Sequence, residues 1–235
     1  MKYKHLFFDL DNTLWDFEKN SHETFNELYH NILLENKKIP SIDAFFQVYT
    51  GHNTRLWSLY RNNLISKEEL CDTRFLITLK EFGIDDKILA NKLSEEYTYR
   101  SPRKGNLFPG TIETLEQLKN RFQLHIITNG FEEIQHVKLE FAGLNQYFQC
   151  LITSERAGSK KPNAGIFNYA LKQAGAKPEE SLMIGDDLEV DIIGASAVGM
   201  DTIFFDPLNS DTALLTPTHC IETISDILSF IDSLN

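Results

Sequence analysis

Two carboxylates stand two positions apart directly after a short apolar run near the start of the sequence. Leu6, Phe7 and Phe8 are followed by Asp9 and Asp11. In an extended chain, residues i and i+2 face the same side, so the two acids would share a small volume and repel each other. A bound divalent cation or a proton held on one acid would relieve that repulsion, and both are means of catalysis. The spacing therefore predicts a chemical site at the end of a buried strand.

Three further polar clusters follow short apolar runs later in the chain. They are TNG at 128–130, SERAGSKKP at 154–162 and GDDLEVD at 185–191. Each cluster alone is compatible with an ordinary turn or a solvated helix start. In an open parallel sheet, however, ligands bind outside the carboxyl ends of the strands, where such clusters can share one site. The repeated placement of polar clusters after apolar runs favours a single composite site.

The apolar runs that must position these clusters alternate with helical segments such as 111–120 and 163–175. After the first strand, which leads into Asp9, the predicted strands lie at 124–128, 150–154, 182–185 and 202–205. Strands that alternate with helices in this way predict an α/β fold, in which helices cover both faces of a parallel sheet. The segment 221–235 has an apolar helical face and predicts a terminal docking helix.

Residues 18–100 have helical periodicity without strand signals, including an apolar face within 21–36. Ser66, followed three residues later by Glu69, predicts a capping box at a helix start. A connector at 101–110 contains proline and glycine and separates this region from the rest. The sequence therefore predicts an α/β core domain of residues 1–16 and 104–235, with a helical cap domain of residues 17–103 inserted after the first strand.

The bulk composition is that of an ordinary globular protein. The 235 residues are 42% hydrophobic and carry a net charge of −11. Such acidity disfavours a nucleic-acid polymer or an anionic membrane as the main partner, but it allows a small anion in a local basic pocket. No run is long enough for a signal peptide or a membrane span, so we expect a cytoplasmic protein, either a monomer or a small homo-oligomer. The widely spaced Cys71, Cys150 and Cys220 indicate free thiols.

The motifs DLDNT, TNG, a lysine before proline and GDDLEVD, in this order around a helical insert, resemble those of the haloacid dehalogenase superfamily of phosphotransferases and phosphatases. The resemblance covers essentially the whole chain. It implies a Rossmann-like sheet and a helical cap that closes over the site. The segments 49–75 and 124–171 are similar to the pyrimidine 5′-nucleotidase subgroup. A phosphatase with a small-molecule phosphate ester as substrate is therefore expected, pyrimidine nucleoside 5′-monophosphates being the first candidates.

The resemblance also implies a role for each motif residue. Asp9 becomes the nucleophile that forms an aspartyl-phosphate, and Asp11 protonates the leaving oxygen before it deprotonates water. Thr13 steadies the loop that holds both acids. Lys161, which directly precedes Pro162, supplies positive charge to the phosphoryl group, while Pro162 restricts its backbone.

The implied cofactor is Mg²⁺, a hard cation that binds a few carboxylates together with water and phosphate oxygens. The implied ligands are Asp9, the backbone carbonyl of Asp11, and Asp186. Asp187 and Asp191 are candidates for orienting Lys161 or metal-bound water. Asp191 is equally compatible with a simple acid at a helix start.

Substrate-binding residues are expected in both domains. The resemblance implies that Thr128 and Asn129 offer a hydroxyl and backbone N–H groups to the phosphoryl oxygens. Thr13 is a further candidate for substrate binding. In the cap, Asn53 and Trp57 are the residues that we would test for substrate contact. The aromatic residues around them are also compatible with the core of the cap.

Other functions share parts of this pattern. A dehalogenase of the same superfamily has the nucleophile but lacks an acid two residues later, so Asp11 favours phosphate. A receiver-type signalling domain has no place for the helical insert, and a binding protein without catalysis would be expected to lack a motif residue. Sugar phosphates and other small phosphate esters remain alternative substrates.

Overall fold

The structure of the chain is a computed structural model that describes residues 2–33, 38–208 and 217–234. The chain divides into two units. The core unit comprises Met1–Phe17 and Gly105–Asn235, and the helical unit comprises Glu18–Lys104. Within the described residues, no helix combines the length and the apolar character that a membrane crossing requires.

A six-stranded sheet forms the centre of the core unit in the described part of the chain. Its strands are β1 His5–Phe8, β2 Gln123–Thr128, β3 Cys150–Thr153, β4 Ser181–Gly185, β5 Asp201–Phe205 and β6 His219–Ile221. Their order is β3-β2-β1-β4-β5-β6, and all neighbouring strands run parallel. The predicted Rossmann-like α/β fold is confirmed.

Helices pack on both faces of this sheet because its central strand is apolar on both faces. Leu6 and Phe8 contribute to one apolar cluster and Phe7 to another, and all three side chains are buried. The full burial of such a side chain contributes roughly 1.5–3 kcal/mol. The α-helices in the described part of the core unit are α5 Thr111–Leu118, α6 Glu132–Phe141, α7 Ser154–Ala157, α8 Ala164–Ala174, α9 Gly194–Ser196 and α10 Asp226–Ser233. A π-helical segment Leu188–Ile193 carries Asp191.

The register of the central strands brings their polar ends to one level. Phe8 of β1 lies beside Ile126 of β2 and Ile184 of β4. The N–H of Asp9 then donates to the carbonyl oxygen of Ile184 at 2.9 Å. The loops after β1, β2 and β4 therefore begin at the same edge of the sheet, as the sequence predicted.

The C-terminal segment differs from its prediction. The interval 221–235 was expected to be a single helix, but Ile221 pairs with Phe205 as part of β6, and the helix begins only at Asp226. The apolar spacing fits a helix, yet pairing with the edge of the sheet satisfies the backbone of Ile221 instead. The third predicted strand likewise ends one residue early, because Ser154 begins α7.

The helical unit contains no strand among its described residues, as predicted. Its helices are α1 Phe17–Leu28, continued by a π-helical turn Tyr29–Leu33, then α2 Ile42–Arg61, α3 Lys67–Glu81 and α4 Lys87–Arg100. The capping box is confirmed: Ser66 Oγ accepts from the N–H of Glu69 at 3.1 Å, and Glu69 Oε2 accepts from the N–H of Ser66 at 2.7 Å. Residues 34–36 of the predicted apolar helical segment lie outside the described residues.

Candidate active site

A buried lysine ammonium joins two carboxylates beyond the end of β1. Lys161 Nζ donates to Asp9 Oδ1 at 2.7 Å, to Asp191 Oδ1 at 2.6 Å and to the carbonyl oxygen of Ile127 at 2.9 Å. These contacts use all three donors of the ammonium, and the residue is only 2% exposed. Burial opposes the charge on Lys161, but the carboxylates of Asp191 and Asp9 keep its pKa above the ordinary value. The site therefore holds a permanent positive charge against the predicted nucleophile.

The side-chain amide of Asn129 fixes the backbone of Lys161. Asn129 Oδ1 accepts from the N–H of Lys161 at 2.8 Å, and Asn129 Nδ2 donates to the carbonyl oxygen of Lys161 at 3.0 Å. Beside it, Thr128 is buried, and its Oγ1 accepts from the N–H of Gly130 at 3.0 Å. Both ends of the Asn129 side-chain amide therefore hold the Lys161 backbone, and the expected contact of the Asn129 backbone N–H with phosphoryl oxygens stays a prediction.

Three carboxylates meet in this site, since oxygens of Asp9, Asp186 and Asp191 lie within 4.8 Å of one another. Burial raises the pKa of Asp9 to about 7, although Lys161 opposes the shift. Burial also raises the pKa of Asp186 to about 8, and the negative charges of Asp9 and Asp191 add to this shift. A hard divalent cation fits these residues, because it prefers carboxylate oxygens and would neutralise their mutual repulsion. The predicted ligands Asp9 and Asp186 are thus brought together.

Asp191 uses both of its carboxylate oxygens within the protein. Oδ1 accepts from Lys161, and Oδ2 accepts from the N–H of Asp187 at 3.2 Å. The side chain is 1% exposed, and burial raises its pKa. A Cβ atom on Gly185 would lie 2.3 Å from Asp191 Oδ2, which explains why glycine ends β4. Of the two alternatives for Asp191, the contact agrees with the one in which it orients Lys161.

Two sets of hydrogen bonds fix the loop around Asp186. Thr13 is fully buried, and its Oγ1 donates to Asp186 Oδ1 at 2.9 Å. Asp187 Oδ1 accepts from the N–H groups of Glu189 and Val190, each at 3.0 Å, and so caps the turn that follows. Thr13 therefore ties the loop after β1 to the loop after β4.

Asp11 has partners that the sequence analysis missed. Gln135 Nε2 donates to Asp11 Oδ2 at 2.9 Å, and Lys138 Nζ donates to Asp11 Oδ1. Gln135 and Lys138 lie three residues apart on one face of α6, and both are buried. The sequence signal that could have found them is that both polar residues lie on the same helical face as the buried, apolar Leu139, which indicates that their side chains point into the core.

The candidate specificity residues Asn53 and Trp57 lie one turn apart on α2 of the helical unit. Asn53 is buried, and its Oδ1 has no hydrogen-bond partner among the described residues. Trp57 packs edge-on against Tyr60, with the ring centroids 5.5 Å apart. The neighbouring Tyr49 belongs to the apolar core of the unit, in agreement with the alternative in which the aromatic residues form the core of the cap.

The amino-acid sequence matches a known protein family. The sequence model of the haloacid dehalogenase-like hydrolases matches residues 3–199. The chain belongs to the haloacid dehalogenase-like hydrolases. This membership confirms the resemblance noted in the motifs and the predicted hydrolase class, and it excludes a receiver-type signalling domain.

Several haloacid dehalogenase-like hydrolases are similar to this one over nearly their whole length. The pyrimidine 5′-nucleotidase PynA of Streptococcus pneumoniae is 32% identical over 99% of this chain and 96% of that protein. The pyrimidine 5′-nucleotidase YjjG of Escherichia coli is 32% identical over 97% of each chain. The crystal structure of the putative hydrolase YfnB of Bacillus subtilis bound to magnesium is 27% identical, covers 99% of this chain and 100% of that one, and has a TM-score of 0.88.

Proposed function

We propose that this hydrolase is a Mg²⁺-dependent phosphatase that cleaves small phosphomonoesters through an aspartyl-phosphate on Asp9. The observation that carries the proposal is the buried Asp9 carboxylate, which contacts the Lys161 ammonium within a cluster of three carboxylates. A second acid, Asp11, follows two residues later with separate partners. A nucleophile beside a fixed positive charge and a separate acid–base group together suit phosphoryl transfer.

The proposed reaction has two steps. In the first, an oxygen of Asp9 forms a bond to phosphorus while the ester P–O bond breaks, and Asp11 gives a proton to the leaving oxygen. In the second, Asp11 takes a proton from water, whose oxygen displaces Asp9 from phosphorus. The charge of Lys161 neutralises phosphoryl charge in both steps, and Thr128 and the backbone N–H of Asn129 are the proposed hydrogen-bond donors.

The ligands proposed for Mg²⁺ are Asp9, the backbone carbonyl of Asp11, and Asp186. When bound there, the cation supplies positive charge that lets an anionic nucleophile approach an anionic phosphate. Asp191 is proposed as a positioning residue, because both of its oxygens already accept hydrogen bonds from Lys161 and Asp187.

The proposed substrates are pyrimidine nucleoside 5′-monophosphates. PynA and YjjG, both named as pyrimidine 5′-nucleotidases, support this choice through full-length similarity at 32% identity. The helical unit is proposed to act as the cap that selects among small esters. Asn53 and Trp57 remain the residues to test, and the buried Asn53 Oδ1 without a partner among the described residues supports the inclusion of Asn53.

The first test is phosphate release from a panel of purine and pyrimidine nucleotides, sugar phosphates and a phosphoprotein. With Mg²⁺ we expect the pyrimidine 5′-monophosphates to be the best substrates, and excess chelator should abolish turnover. Turnover that persists in chelator would contradict the metal requirement. Equal rates on the phosphoprotein would contradict the preference for small esters, and faster hydrolysis of sugar phosphates would reassign the substrate.

Mg²⁺ is expected to stabilise the fold more at about pH 8 than at about pH 5. Asp9 and Asp186 have raised pKa values of about 7 and about 8, whereas an unfolded aspartate has a pKa of about 3.9. The metal-free folded protein therefore holds extra protons across this window, and its free energy of unfolding falls as the pH rises. Cation binding needs the deprotonated carboxylates, so stabilisation by Mg²⁺ grows over the same window. Thermal unfolding with Mg²⁺ and with chelator measures the difference.

His125 contributes to the pH dependence of stability with the opposite sign, but equally with Mg²⁺ and with chelator, so it cancels from the difference between them. Burial lowers the pKa of His125 to about 4, so the unfolded chain binds more protons at acid pH and acid lowers stability. Asp186→Asn leaves His125 in place, and it should lose most of the pH-dependent shift caused by Mg²⁺. An equal Mg²⁺ shift at both pH values in the wild type, or an unchanged one in the variant, would contradict the proposed metal site.

Asp11→Asn is expected to separate the two steps. A nitrophenolate leaves without a proton, so nitrophenyl phosphate should give a stoichiometric burst of nitrophenol and then stall, because water activation still needs the base. General acid–base assistance is worth roughly 10² to 10⁴ in rate, so a nucleotide should show no burst. Rapid quench measures both, and mass spectrometry of the stalled enzyme should find phosphate on the peptide containing Asp9. Near-normal steady turnover of both esters would remove Asp11 from the acid–base role.

A further inference from the structure

The acid–base candidate Asp11 is held at both carboxylate oxygens by donors from one helix. Gln135 donates to Oδ2 at 2.9 Å and Lys138 donates to Oδ1. A carboxylate offers about four lone-pair sites. With one site used on each oxygen, each oxygen keeps another for a proton, a water or a leaving group, and the side chain is 25% exposed. The contacts therefore fix the direction of the carboxylate without closing it to a reacting molecule.

Lys138 is a buried lysine, and its ammonium group is paired with the Asp11 carboxylate. Its side chain is 6% exposed, and Nζ lies 4.1 Å from the ring centroid of the fully buried Trp15. Burial of an ammonium costs several kcal/mol, and the Trp15 face and the Asp11 carboxylate offset that cost. In the described structure, Asp11 is the carboxylate that forms an ion pair with Lys138.

The side chain of Gln135 lies against the polar cluster that follows β2. It is 1% exposed, and a Cβ atom on Gly130 would lie 1.6 Å from Gln135 Nε2. The absence of a side chain at Gly130 therefore allows the Gln135 amide to lie against this loop and to donate to Asp11. This contact links the TNG loop, through α6, to the carboxylate of the DLDNT loop.

We propose that Gln135 and Lys138 are positioning residues that hold the Asp11 carboxylate where it exchanges protons with the leaving group and with water. The inference rests on the proposed function, because it presupposes the acid–base role of Asp11. Misplacement of a reacting group by about 1 Å can cost about 100-fold in rate. Loss of either donor should therefore slow the steps that need a proton, and it should affect little else.

The test is single-turnover phosphoryl transfer by Lys138→Met and Gln135→Leu in the full chain with Mg²⁺. With uridine 5′-monophosphate, whose leaving group needs a proton, we expect the first step to slow by about 10- to 100-fold. With nitrophenyl phosphate the burst rate should stay within about threefold of wild type, because that leaving group departs unprotonated. A purely structural defect would slow both esters alike, so the ratio of the two rates identifies positioning.

Lys119→Met is the matched control. Lys119 Nζ pairs with Glu116 at 2.7 Å and lies 5.1 Å from the ring centroid of Tyr147. Like Lys138, it therefore has one carboxylate and one aromatic ring as partners, but its carboxylate partner is not Asp11. This variant should keep the wild-type ratio of rates. In the double variant, Lys138→Met should slow the nucleotide reaction by less than about twofold relative to Asp11→Asn alone, because the carboxylate that Lys138 positions is absent from both.

The outcomes separate the two proposals. If the wild type hydrolyses neither ester with Mg²⁺, the proposed function fails and the positioning role fails with it. If the wild type is active but the variants slow both esters equally, or Lys138→Met has its full effect without Asp11, only the positioning role is overturned. Should circular dichroism show that Lys138→Met does not fold, Gln135→Leu decides alone, because it removes no charge.

Discussion

Asp9→Asn is expected to reduce hydrolysis of every phosphate ester below detection. An amide cannot serve as the nucleophile, so neither ester class can enter the two-step route. The variant should still fold, because Lys161 keeps its contacts with Asp191 and with the carbonyl oxygen of Ile127. Steady-state phosphate release and a search for the phosphorylated peptide measure the effect, and both should be negative.

The matched control for this change is Asp201→Asn in the same unit. Asp201 begins β5, where its carboxylate accepts from the Tyr3 hydroxyl at 2.7 Å and pairs with Lys2. The control removes an ion-paired carboxylate of the same unit that lies away from the proposed chemistry, so it should retain turnover. Activity of Asp9→Asn above about one hundredth of the wild-type rate would rule out Asp9 as the nucleophile.

Lys161→Met is expected to cause the second-largest loss, in both turnover and stability. Without the ammonium, the buried carboxylates of Asp9 and Asp191 face each other uncompensated. Breaking a buried pair in this way costs about 3–5 kcal/mol. Loss of the fixed positive charge beside the developing phosphoryl charge lowers kcat by about 10² to 10³, and raising the Mg²⁺ concentration should not restore it. Turnover over a Mg²⁺ titration and thermal unfolding provide the two readouts.

Lys160→Met separates the two adjacent lysines. Lys160 is half-buried, whereas Lys161 is almost fully buried and contacts Asp9. We expect the Lys160 variant to retain most of its activity at every Mg²⁺ concentration. A larger loss at Lys160 than at Lys161 would show that the wrong lysine has been assigned.

Local pattern was enough to predict the sheet and the edge at which the site lies. The apolar run that ends at Phe8 gave the first strand, and the runs before Asn129 and Asp186 gave two more. A short apolar run with polar residues after it is a local signal, and parallel strands meet at one edge whatever their order. The strand β6 was missed because Ile221 fits a helical stripe equally well, and only the neighbouring strand β5 decides otherwise.

The residue types at the site were predictable, but their pairings were not. Asp9, Asp186 and Lys161 could be chosen because each belongs to one of the motifs in the sequence. Asp191 could not be distinguished from a helix-start acid until its oxygen was found 2.6 Å from Lys161 Nζ. The sequence did not predict that the side-chain amide of Asn129 fixes the Lys161 backbone across 32 positions of sequence.

The sequence by itself determined an α/β sheet, a helical insert and a set of acids and a lysine at one edge, because strand and helix periodicity are local patterns and each motif is a short segment. Only the tertiary structure decided the partners of those residues. The contact between Lys138 and Asp11 spans 127 positions, and that between Lys161 and Asp9 spans 152. The pKa values of Asp9 and Asp186 rise mainly through burial, and burial is a property of the packed chain that no local pattern contains.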